Sequence, residues 1–167
     1  MAFPRKTGIW LASALFAAIP GARATAASVN VTASVKTVKP LVLTAKQNLD
    51  FGLIILTRVT APTSVSISQA GVKTCGVGLT CSGASLPAIF SLTGTNNTPV
   101  RIVTAPSSLT NATGNSVAFT PNAPTTLTLA NSGSKGDDFN VGGSIALTPT
   151  TADGLYSGNV EITVDYQ

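Results

Sequence analysis

Val160-Glu-Ile-Thr-Val-Asp-Tyr166 alternates without a break. Val160, Ile162, Val164 and Tyr166 fall on one side of an extended chain and Glu161, Thr163 and Asp165 on the other, because successive strand side chains point to opposite faces. One apolar and one polar face is the pattern of a strand half-buried in an antiparallel sheet. The same period recurs upstream. Val29, Val31, Ala33 and Val35 alternate with Asn30, Thr32, Ser34 and Lys36. Leu41 and Leu43 follow Pro40, and Leu49-Asp-Phe-Gly52 predicts another short extended piece. Val65 with Ile67, Ala88 with Phe90 and Leu92, Val100 with Ile102, Val117 with Phe119 and Leu127 with Leu129 each predict a strand. Phe139, Val141, Ile145 and Leu147 flank Gly142-Gly143, which predicts a bulge or bend. Gly94-Thr-Asn-Asn97, Ala105-Pro106 and Pro121 mark stops between these pieces. No window after Ala26 carries a 3.6-residue period. The chain is therefore predicted to be all-β, a sandwich or a barrel.

Composition agrees and removes chemistry. At 167 residues the chain suits one domain, and 44% hydrophobic residues suffice for a packed core. Only 10% of residues are charged, against about a quarter in an average domain, and helix faces draw on those residues. There is no His, so Ser-His-Asp triads, Cys-His pairs and imidazole zinc ligands are excluded. Two cysteines cannot build an all-cysteine zinc site. No cofactor or metal is expected. The formal net charge of +4 owes much to Arg5, Lys6 and Arg23. Without them acids and bases nearly balance, and no basic cluster remains to bind nucleic acid.

Those residues sit in an address. Arg5-Lys6 precedes an apolar run from Gly8 to Ile19, which is too short for a span of about 20 residues. Pro20-Gly21 ends it, and Ala22-Arg-Ala24 and Ala24-Thr-Ala26 offer small-residue cleavage sites. Residues 1–26 are read as a cleaved signal peptide, with no membrane span in the mature chain. Export implies an oxidising compartment. Cys75 and Cys81 enclose Gly76-Val-Gly-Leu-Thr80, and their even count and close spacing favour one disulfide clipping a tight loop. The rival reading, a reactive or metal-binding pair, lacks a His, a flanking charge and a Cys-x-x-Cys spacing.

Catalytic motifs fare poorly. Ser132-Gly-Ser-Lys135 matches Ser-x-x-Lys, which needs its Ser at a helix start. Here it lies in a turn-forming stretch, Asn131 to Gly136. Asp137 and Asp138 are neighbours, and on a strand they face opposite sides rather than flanking one bond. Gly76-Val-Gly78 precedes no helix and is no dinucleotide loop. Tyr156, in Gly154-Leu-Tyr-Ser-Gly158, suits a corner tyrosine tethering the loop before the last strand. No enzymatic activity is expected.

The segment Ser28 to Lys36 is the odd one. It is well patterned yet lies at a terminus, ahead of Lys39-Pro40. Terminal segments fray unless docked, so this one needs a groove, in its own domain or a neighbour.

Leu49-Asp-Phe-Gly52, Phe90-Ser-Leu-Thr-Gly94, Val141-Gly-Gly143, Gly154-Leu-Tyr-Ser-Gly158 and the closing Val160 to Tyr166 occur in that order. The ordered set resembles a family of small secreted bacterial domains of unknown function, which is similar to Mat/Ecp fimbrial major subunits and spore coat protein U-like archaic pilins. The resemblance covers about residues 27–167; the Cys75–Cys81 loop departs from it. It implies an incomplete immunoglobulin-like β-sandwich over 39–167, completed by an N-terminal donor strand within 27–38. Val29, Val31, Ala33 and Val35 would be the inserting side chains, and Val160, Ile162, Val164 and Tyr166 would line the groove. The implied partners are other copies in a head-to-tail polymer, a periplasmic chaperone and an outer-membrane usher. The implied function is a subunit of a surface fimbria serving adhesion or biofilm, exported through the periplasm. The alternatives are a secreted monomeric or matrix sandwich, whose first strand completes its own sheet, and a surface-binding adhesin module.

Overall fold

Alternating apolar residues become strands where a second sheet covers their inner face. The computed structural model describes residues 26–131, 133 and 135–167. Along the chain run β1 (Val42–Gln47), β2 (Leu53–Leu56), β3 (Thr63–Ile67), β4 (Lys73–Cys75), β5 (Leu79–Ser82) and β6 (Ala88–Thr93). There follow β7 (Pro99–Thr104), β8 (Ser107–Thr110), β9 (Ser116–Asn122), β10 (Thr126–Thr128), β11 (Asp137–Leu147) and β12 (Ile162–Tyr166). The described residues contain no helix, and every strand pairing is antiparallel.

The chain divides into two units, ending at Val35 and beginning at Lys36. In the first, residues 26–35 carry no regular element and are exposed throughout. Val29, Val31 and Val35 are 85–87% exposed. The strand predicted there is thus not formed in the isolated chain. An extended segment without a ladder partner has no hydrogen bonds to repay its ordering.

The second unit is a β-sandwich. One sheet runs β1-β6-β11-β3-β4, with β9 also on β11 and β8 on β9. A three-stranded sheet, β10-β7-β12, supplies the second layer. The order β1-β6-β11-β9 against β7-β12 follows the A-B-E-D and C-F order of an immunoglobulin-like sandwich. Leu92, Val100, Ile102, Leu129, Phe139 and Val141 form the core between the layers, with Phe90 and Phe139 stacked at 5.7 Å. Val65, Val117, Phe119, Ile145 and Leu147 form a second cluster. Covering it is a separate two-stranded ribbon, β2 with β5.

The long strand β11 joins the two clusters. It pairs with β6 through Val141, then with β9 and β3 from Gly142–Gly143 onward. The glycine pair is therefore a change of partners inside a continuous strand. A Cβ on Gly143 would collide with the Phe119 ring. Pro121, predicted to stop a strand, lies within β9. It is tolerated because β8 pairs only as far as Phe119, so no ladder bond is lost on that side. Leu49-Asp-Phe-Gly52 leads into β2: Asp50 makes an antiparallel bridge with Leu86, and its carboxylate accepts from the Gly52 N–H at 2.8 Å where Gly52, at φ +70°, bends the chain before the strand.

On the outer surface Lys46 of β1 reaches over Ser91 of β6 to Asp138 of β11, 2.6 Å away. The Lys46 ammonium first, and the Ser91 hydroxyl after it, hold the Asp138 carboxyl below its usual value. A lowered carboxylate stabilises the fold above its unfolded pKa, and that stability is lost as pH falls through the lowered value. Both side chains are largely solvated, so the gain is small. Lys46→Ala should return the Asp138 titration, followed by NMR, toward the ordinary carboxylate range.

Candidate strand-accepting cleft

The second cluster is buried, and a cleft borders it. A cleft of about 1110 Å3 opens onto Val117, Phe119, Ile145 and Leu147. One wall is the segment 48–52 followed by all of β2; the other is the segment 151–160 that leads into β12. β2 pairs only with β5, and β12 only with β7, so each keeps an unpaired edge among the described residues of this unit.

The segment 151–160 is held in place locally. The Tyr156 hydroxyl donates to the Ala152 carbonyl at 2.9 Å, which is the corner tether its setting predicts. Ser157 and Thr110 exchange two backbone hydrogen bonds, docking the segment on β8. Leu155, between these anchors, is 86% exposed at the rim of the cleft.

Of the predicted groove residues, Val160 lines the cleft and packs on the second cluster. Ile162, Val164 and Tyr166 are half-buried and pack on the first cluster, in register with Thr104, Ile102 and Val100 of β7. Val29, Val31, Ala33 and Val35 are exposed in the first unit. The signal segment lies, but for Ala26, outside the described residues, as does Ser132. Lys135 sits in a turn, its carbonyl accepting from the Ser91 hydroxyl. Asp137 accepts from the Ala130 and Asn131 amides at 2.8 Å, while Asp138 holds Lys46, so the two carboxylates serve different neighbours.

Cys75 and Cys81 form the predicted disulfide, with Cα atoms 6.3 Å apart. The loop between them is only a turn, since Lys73–Cys75 and Leu79–Ser82 are both strands, and in different sheets. The bond ties β5 of the ribbon to β4 of the large sheet. The sequence reading placed no strand at β2, β4, β5 or β8.

Tyr166 does more than pack. Its hydroxyl donates to the Lys39 carbonyl at 2.7 Å and accepts from the Thr95 N–H at 2.8 Å, while the Lys39 N–H donates to the Thr95 hydroxyl at 2.7 Å. This three-way clamp fixes where the chain enters the sandwich. Tyr166→Phe keeps the ring and should cost about 1–3 kcal/mol, the usual range for lost hydrogen bonds with a polar group left unpaired. Thermal unfolding measures it, and hydrogen exchange at Thr95 should rise with it.

Among the described residues no group of acidic or cysteine side chains could hold a metal ion, and no helix is long and apolar enough to cross a membrane. No curated protein and no solved structure matches the chain. Residues 41–166, from the entry into β1 to the end of β12, match the family described as a domain of unknown function (DUF4402), and the chain belongs to that family.

Proposed function

We propose that the chain is the structural subunit of a bacterial surface fimbria, in which Ser28 to Lys36 of one copy inserts into the cleft of the next. The observation that carries this reading is a cleft over an apolar floor, walled by β2 with its unpaired edge and by the segment 151–160 that leads into β12, whose outer edge is also unpaired. In an immunoglobulin-like sandwich a G strand lies beside F. β12 stands where F does, and the place beside it is where an added strand would gain backbone hydrogen bonds and pockets for alternate side chains.

The proposed occupant has the matching form. Nine extended residues span about 30 Å, with Val29, Val31, Ala33 and Val35 on one face. The clamp at Lys39 lies by Tyr166, at the end of β12, whereas Val160 of the cleft precedes the start of that strand. A donor that leaves one end of a subunit and a cleft toward the other favour a head-to-tail contact that does not close, hence a filament. An open apolar cleft before assembly would need cover, which is the part of a periplasmic chaperone; an outer-membrane usher would order the exchange. The subunit's role is then mechanical, in adhesion or biofilm at the cell surface, and not enzymatic.

Electron microscopy of cells with and without the gene tests this. Filaments should vanish on deletion and return on complementation, and immunogold against this chain should label their whole length. Unchanged filaments, or unlabelled ones, would remove the reading.

A further inference from the structure

Lys73 stands on β4, in the large sheet, yet its ammonium reaches out of that sheet. It donates to the Phe51 carbonyl at 3.3 Å, the Ser82 carbonyl at 3.3 Å and the Gly83 carbonyl at 3.1 Å. An ammonium has three N–H donors, and each is matched by one backbone oxygen. Phe51 leads by one residue into Gly52 and β2; Ser82 and Gly83 end β5. One side chain thus grips both strands of the ribbon at the same end. Gly52 makes room for it: a Cβ there would meet the Ser82 and Ala84 carbonyls and press on the Lys73 ammonium.

The ribbon needs such a grip. β2 and β5 pair only with each other, and a lone two-stranded sheet is marginal in water. Ile54, Leu79 and Cys81 pack on the second cluster from one face, while Leu53 and Ile55 are exposed on the other. Beyond that packing, two fastenings tie it to the large sheet, the disulfide from Cys81 to Cys75 and the Lys73 ammonium, while the Asp50–Leu86 backbone pair only joins the ribbon's own two ends. Both fastenings come from β4.

We propose that Lys73 is a positioning residue for the cleft, and that with the Cys75–Cys81 bond it holds β2 as a strand-accepting edge. The inference rests on the donor-strand reading for what the edge accepts, but the fastening itself is a separate claim. An incoming strand pairs with an edge whose N–H and C=O groups already lie in line. A loose ribbon must first be ordered, and that ordering cost is taken from the binding. Lys73 touches no inserted side chain; it acts through the Phe51, Ser82 and Gly83 carbonyls. Nothing in the sequence singles it out, since an isolated Lys beside Thr74 reads as a solvated face.

The test uses the full chain carrying Val31→Asp, so that its own donor segment does not compete, with a fluorescent peptide of residues 27–38 as probe. Three acceptors are compared: Lys73, Lys73→Met, which keeps the stem without the charge, and Lys73→Arg. Lys73→Met should release the peptide about tenfold faster, the factor equivalent to one charge-assisted hydrogen bond. Lys73→Arg should recover much of the loss. Amide exchange should accelerate over Leu53–Leu56 and Leu79–Ser82 and stay unchanged in β7 and β12, which a general loss of stability would not produce. Removing the disulfide as well, by Cys75→Ser with Cys81→Ser, should cost more than the two separate losses combined, since each fastening compensates for the other. Unchanged exchange in the ribbon of Lys73→Met overturns the fastening. Faster ribbon exchange with unchanged peptide release overturns the positioning role and leaves the donor reading intact. No peptide binding to the Lys73 acceptor removes the donor reading and the accepting role with it.

Discussion

Phe119→Ala should lower the unfolding free energy by about 3–5 kcal/mol, the range for deleting a buried aromatic ring. Against a total of about 5–15 kcal/mol for an ordinary domain, that is a large fraction. Phe119 is 1% exposed and sits where three elements meet. It pairs with Ser107 of β8 and Ile145 of β11, its ring covers Gly143, and Phe51 meets it edge-on at 6.2 Å. The cavity would open onto the cleft, where the ribbon can sag to fill it or water can enter. That relaxation puts the loss toward the lower end of the range. Urea unfolding should show a lower midpoint with the slope unchanged. Phe119→Leu should cost clearly less, because it leaves a smaller void. A loss below about 1 kcal/mol, the level of a surface change, would mean that the second cluster is not a true core.

The contrast between the sandwich strands and the ribbon explains what was legible in the sequence. Strands of the two packed sheets carry apolar residues at a period of two, because alternate side chains point into a core. Val160 to Tyr166, Ala88 to Leu92 and Phe139 to Leu147 could all be read by period alone. The disulfide was legible from the count and spacing of the cysteines. The ribbon was not. Leu53-Ile-Ile-Leu56 is a continuous apolar run with no period of two, because Ile54 faces the core while Leu53 and Ile55 face out beside an unfilled cleft. Residues 73–82 carry mostly polar and glycine residues, and they become strands by pairing with β3 and β2, partners that local pattern does not reveal. Asp50 and Gly52 read as one extended piece, but their hydrogen bond bends the chain before β2 begins. The cleft itself depends on which strand edges are left without partners, and that is a property of strand order, which local pattern does not carry. The segment Ser28 to Lys36 is the reverse case. Its pattern was plain, but the isolated chain leaves Val29, Val31 and Val35 in water, because a strand exists only beside an edge.

Val31→Asp should abolish filaments while leaving the sandwich folded. Each inserted Val is expected to contribute about 1.5–3 kcal/mol by burial. A carboxylate in the same pocket would lose that and add a larger penalty for desolvating an unpaired charge. The floor of the cleft offers it no partner: Val117, Phe119, Ile145 and Leu147 carry no donor. Val31 lies outside the sandwich unit, so circular dichroism and the thermal midpoint of the subunit should stay at their wild-type values. Val38, exposed beyond the patterned segment, provides the control. Val38→Asp changes charge equally yet lies on the clamp side of the donor, so it should leave filament yield near normal. Mixing sharpens the outcome further. A Val31→Asp subunit keeps its own cleft, so it should still accept a wild-type donor and then terminate growth, shortening filaments in proportion to its fraction. If the strand instead completes its own sheet, Val31→Asp should lower the thermal midpoint of the monomer, and mixing should not shorten anything. A folded variant that forms filaments of wild-type length and number would remove the donor role from this segment altogether.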